Sequence, residues 1–87
     1  MFKKIEAAKI AQKEGKVSEA NKIFQELLKS NSDSYDLLYA YGFFCKDLRN
    51  FNLAKRVFQS LINKFPSSIN PYILLAEILR LKSKTNK

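Results

Sequence analysis

Cys45 is the only thiol in the sequence, and no histidine is present to activate it. Cys–His and Ser–His nucleophiles and zinc sites therefore lack a partner that each needs. A lone cysteine on an apolar helical stretch is expected to be a small buried hydrophobe, and it implies no oxidising compartment. The eight acidic residues are scattered and mostly separated by lysine, so no carboxylate pair is set up for acid–base work. Neither a glycine-rich phosphate loop nor a Cys-x-x-Cys pair occurs. No catalytic residue, metal or cofactor is expected, and the chain is read as a non-enzyme. What remains is binding. The net charge is +8, but thirteen of the sixteen cationic residues are lysines spread along the whole chain, as on solvated helix faces. The one local basic cluster is the tail "RLKSKTNK", which reads as a frayed terminus, while in "KDLRNFNLAKRVF" Lys and Arg interleave with aromatics in the manner of an RNA contact.

The elements that position these residues follow from the apolar spacing. At 87 residues, 46% hydrophobic, the chain makes one small domain with material for a core, and two Gly and two Pro are too few for a turn-rich β fold. Helical periodicity predicts five segments. The first covers about 2–14 and breaks at Gly15 and Lys16. The second covers 18–30, with Ser18 as N-cap. "NSDS" (31–34) is a turn of self-capping residues. The third, 35–48, is apolar nearly all round through Leu37, Leu38, Tyr41, Phe43, Phe44, Cys45 and Leu48, which places it in the middle of the assembly. The fourth, 52–65, ends at Pro66, and the fifth, about 69–82, accepts Pro71 in its first turn. A polar tail, 83–87, follows. Connections this short join antiparallel helix pairs. The amino end lacks a signal-peptide core, and the apolar run in "YILLAEILRL" is about half a bilayer span and carries Glu77 and Arg80, so a soluble cytoplasmic protein without membrane contact is expected.

The helices repeat. "NLAKRVFQSLINKFP" (52–66) is "SEANKIFQELLKSNS" (18–32) displaced by 34 residues: Ala20, Ile23, Phe24, Leu27 and Leu28 recur as Ala54, Val57, Phe58, Leu61 and Ile62. At the same period Ala8, Gly42 and Ala76 align, all small, so the first helix of each pair can approach the second closely. Ala7, Tyr41 and Leu75 align, as do Ala11, Cys45 and Leu79.

This pattern resembles the tetratricopeptide repeat, a 34-residue helix–turn–helix unit. The central copy carries Leu38, Tyr41, Gly42, Ala54, Phe58, Leu61 and Pro66. The first carries Ala7, Ala8, Gly15, Ala20, Phe24 and Leu27, with Lys4 where a large apolar residue is usual and Ser32 where proline is usual. The third is half a copy: Tyr72, Leu75, Ala76 and Leu79. The resemblance implies an all-α fold of five helices, antiparallel pairs stacked as a right-handed α-solenoid, with repeat 1 at about 1–34, repeat 2 at 35–68 and a half repeat at 69–82. "LLYAYGFFCKDLRNFNLAKRVF" also resembles the half-a-tetratricopeptide units of RNA-processing scaffolds, although their acidic positions fall at Phe43 and Cys45 and their Trp at Leu38.

The family resemblance further implies a concave inner wall made by the first helix of each pair, and a non-catalytic module that binds a protein, peptide or helix there. The residues expected to carry binding are Ile5, Lys9, Tyr39, Phe43, Lys46, Ile73, Glu77 and Arg80, with Phe2, Asp36 and Asn70 on the same wall. The chaperone-binding members' carboxylate clamp would fall on Ile5, Lys9, Ala40, Asn70 and Leu74, where its Asn-and-Arg pattern is missing, so no clamp is expected. The alternative function is a basic helical scaffold associated with RNA. The last helix is apolar over most of its circumference, which fits self-association as a homodimer through Leu74, Ile78 and Leu81, an amino-terminal piece of a longer repeat protein, or a cap that tolerates exposed leucine.

Overall fold

The computed structural model describes residues 2–31 and 33–85, leaving aside the side chains of Phe2, Lys84 and Thr85. The expectations placed on Phe2 and Ser32, and on the far end of the basic tail, lie outside what is described. The helices are α1 (Phe2–Lys13), α2 (Val17–Ser30), α3 (Tyr35–Asp47), α4 (Phe51–Lys64) and α5 (Asn70–Thr85). Each predicted helix is present, with no end shifted by more than three residues. Ser18 is not the N-cap of α2: that place is taken by Lys16, whose side chain makes no capping bond, and Ser18 sits inside the first turn. Ser34 does cap α3, its hydroxyl accepting from the Leu37 N–H at 3.4 Å. The expected polar tail is helical through Thr85.

α1 packs on α2, α3 on α4, and α5 on α4, with α1 and α2 also meeting α3. The molecule is a slab 17 Å thick, about two helix layers. As its composition requires, α3 is covered on most sides and buries Leu37, Leu38, Ala40, Tyr41, Gly42, Phe44 and Cys45. α2 and α4 bury the matching stripes Ala20, Phe24, Leu27 and Ala54, Val57, Phe58, Leu61.

The repetition extends to the backbone. Gly15 has φ +81° and Arg49, 34 residues on, has φ +62°. Both end a helix in the left-handed conformation, with the next N–H returning to the carbonyl five residues back: Lys16 to Ala11 at 2.8 Å and Asn50 to Cys45 at 2.9 Å. At Gly42 the close approach is visible directly. A Cβ there would lie 2.6 Å from Cζ of Phe58, so the absence of a side chain is what admits the ring.

Candidate functional site

α1 and α3 lie side by side, joined by a hydrogen bond in which Gln12 Nε2 donates to Asp47 Oδ2 at 2.7 Å. Between them, and reaching Asn70 at the start of α5, is an open cleft of about 650 Å³. Its floor is a row of rings on one face of α3 at helical spacing: Tyr35 to Tyr39 at 5.7 Å and Tyr39 to Phe43 at 5.3 Å between centroids. Each ring is half-buried and backed edge-on by α4 or its end: Tyr39 and Phe43 by Phe58, Tyr35 by Phe65. The Tyr35 hydroxyl shares a 2.6 Å hydrogen bond with Ser68 Oγ, which ties the row to the link before α5. A floor held at this many points is preorganised, so a ligand would not have to order it.

The charges around the cleft are mixed. Lys9 and Glu6 stand on the rim as an exposed pair at 3.6 Å, and Asp36 is exposed beside them. Burial, and then the neighbouring Tyr35, push the Tyr39 hydroxyl above its ordinary range, which favours its neutral form. Such a site can grip an apolar side chain and satisfy backbone polar groups.

Of the residues expected on the binding wall, Ile5, Lys9, Tyr39 and Phe43 come together in this cleft. Ile5 needs a correction: at 3% exposed it belongs to the core between the helices and shows the cleft only an edge. Lys46 and Glu77 lie outside the cleft, joined to each other at 3.1 Å between α3 and α5, with the Lys46 ammonium also 5.2 Å above the Phe43 ring. Ile73 and Arg80 line a separate shallow depression with Ala76 and Glu77 on α5. The sequence reading missed Tyr35. Its signal was available, because Tyr35, Tyr39 and Phe43 are spaced i, i+4, i+8 on one face.

The self-association surface also needs correction. Leu74 and Ile78 are buried where α5 lies on α4, and Leu81 is half-buried, so these residues hold the monomer together. The large apolar residues that α5 and its approach expose are Ile69, Tyr72, Ile73 and Leu79. The helix is apolar on both sides, and sequence did not say which side met α4. No helix among the described residues is long and apolar enough to cross a membrane.

Two stretches of the chain, residues 6–34 and 36–68, match a family model described as the tetratricopeptide repeat. Comparison with curated proteins and with solved structures gave no match.

Proposed function

The chain belongs to the tetratricopeptide-repeat family, whose repeats generally mediate protein–protein interaction, and from that premise we propose a non-catalytic module that takes a partner's peptide or helix in the α1–α3 cleft. The observation that carries the reading is the row Tyr35, Tyr39 and Phe43, half-exposed along the floor of a 650 Å³ cleft rather than sealed in the core. Aromatic side chains at the centre of a concave surface are the type that dominates binding energy. The rim, with Lys9, Glu6 and Asp36, fits a ligand with an apolar anchor and polar flanks. A cytoplasmic setting belongs to the same reading and accords with a single cysteine that is buried and unpaired.

The RNA alternative has less support. In "KDLRNFNLAKRVF", Phe51 and Phe58 are buried and Lys46 is held by Glu77, so those rings are not available to stack on bases. Affinity capture from the source lysate with the wild type, Tyr39→Ala and Asp36→Lys tests the proposal. Tyr39 packs on Phe58, so its variant also reports on folding, whereas Asp36 is exposed and its variant leaves the core untouched. Both variants should lose the same partners. Identical partner sets for all three proteins would remove the cleft from consideration, and capture of nucleic acid in a steeply salt-dependent gel shift would favour the alternative.

A further inference from the structure

The 34-residue register assigns a use to the exposed side of α5. Tyr72, Leu75, Ala76 and Leu79 correspond to Leu38, Tyr41, Gly42 and Cys45 of α3. In α3 that face is sealed between α2 and α4, with Tyr41 against Phe24 and Gln25 of α2 and Gly42 against Phe58 of α4: Leu38, Tyr41 and Cys45 are 7%, 8% and 2% exposed. In α5 Tyr72 and Leu79 are each 45% exposed, Ala76 is exposed and Leu75 only partly covered. The apolar stripe that α3 buries, and of which α1 buries the small positions Ala8 and Ala11, is thus present on α5 with no helix upon it among the described residues.

We propose that this face docks an amphipathic helix of another protein, in the way α3 receives α4. Continuity with the two internal interfaces specifies the occupant. Both α2 and α4 present a small residue, then an aliphatic and an aromatic side by side, then an aliphatic: Ala20, Ile23, Phe24, Leu27 and Ala54, Val57, Phe58, Leu61. Ala76 has the size of Ala8, and the first helix pair accommodates Ala8 and Phe24, both wholly buried. The docked helix therefore carries that stripe. Its flanks are acidic, because the chain carries +8 and, on the exposed arc, Arg80 stands beside a Glu77 whose carboxylate is already held by Lys46. The same charge argues against a second copy, which would bring another eight positive charges to the contact. This face is separate from the α1–α3 cleft, so the two proposals stand or fall independently.

The test uses the full chain and a synthetic peptide of residues 50–65 carrying K55E, R56E and K64E, which keeps the α4 stripe and reverses its charge. Amide resonances of Tyr72, Ala76 and Leu79 should shift on titration, the unmodified peptide should bind more weakly, and Leu79→Glu or Tyr72→Glu should weaken binding at least ~10-fold, the worth of one buried side chain. Helical content of both variants is checked alongside. The proposal is overturned if no α5 resonance moves, if the unmodified peptide binds as tightly, or if Leu79→Glu leaves the affinity unchanged. A concentration-dependent dimer abolished by Leu79→Glu, with no response to the peptide, would assign the face to a second copy instead.

Discussion

Replacing Gly42 by alanine sets two effects of similar size against each other, and the structure says which wins. In a helix interior, Gly→Ala gains about 1 kcal/mol, from backbone entropy and propensity. At this site the new Cβ would lie 2.6 Å from Cζ of Phe58 and 2.9 Å from both Cε atoms. Carbon atoms settle near ~3.5–4.0 Å, so the ring must retreat by about 1 Å. It has little room to do so, being wholly buried with Tyr39 and Phe43 edge-on at 6.0 and 6.4 Å. Overpacking of that kind costs about 1–3 kcal/mol, which leaves Gly42→Ala roughly 1 kcal/mol destabilised, or about 4–8 °C in Tm for a domain this size. The assay is a double-mutant cycle with Phe58→Leu, followed by urea and thermal unfolding of the helical signal. Phe58→Leu removes the ring tip, so in that background the same Gly→Ala change should stabilise by up to about 1 kcal/mol. A change of the same sign in both backgrounds would refute the steric reasoning.

Other consequences are simpler. Arg49 holds φ +62° where its counterpart is Gly15, so Arg49→Gly should stabilise by about 0.5–1 kcal/mol, seen as a raised denaturant midpoint, and a lowered one would contradict it. Burial raises the Cys45 thiol and the Tyr41 and Tyr39 hydroxyls, in each case as the largest cause. The native state therefore favours their protonated, neutral forms. Stability from these groups is full below the unfolded cysteine value of about 8.5 and declines as pH rises past it and past about 10, where unfolded tyrosine ionises. Unfolding midpoints taken across that range should fall steadily; a flat profile would count against the burial. Glu77→Gln leaves the Lys46 ammonium above Phe43 without its carboxylate and should cost about 0.5–1 kcal/mol, an effect that high salt diminishes. A peptide presenting a free terminal carboxylate of the chaperone type should show no measurable affinity by titration calorimetry, and saturable binding would restore the clamp.

Sequence reading was most informative where a residue's neighbours are set by the chain's own period. The close approach at Gly42 and the burial of Ala20, Ala54 and Phe24 follow from helical spacing repeated at 34 residues, because each helix must offer the next a complementary stripe; that Phe58 is what fills the space over Gly42 does not. It was least informative where a helix is apolar on more than one side. On α5, Leu74 and Ile78 look no different in sequence from Tyr72 and Leu79, and the choice between them was made by which side met α4. Ile5 illustrates the same limit on α1, since an aliphatic residue among lysines reads equally well as groove floor or as core. The cleft depends on how α1 and α3 are set against each other, and Gln12 and Asp47, which join them, carry no apolar signal that periodicity could detect.

The central position of α3 also bears on the order in which the molecule comes apart. α3 is braced by α1, α2 and α4, while α5 rests chiefly on α4. Opening should begin at the two ends and reach the α3–α4 pair last, so amide protons of Phe44 and Leu61 should exchange most slowly and those of α5 far sooner. A ligand seated between α1 and α3 would pin one end of this zipper, and a helix laid on α5 would pin the other. Each would slow fraying on its own side while leaving the opposite terminus nearly as labile as before.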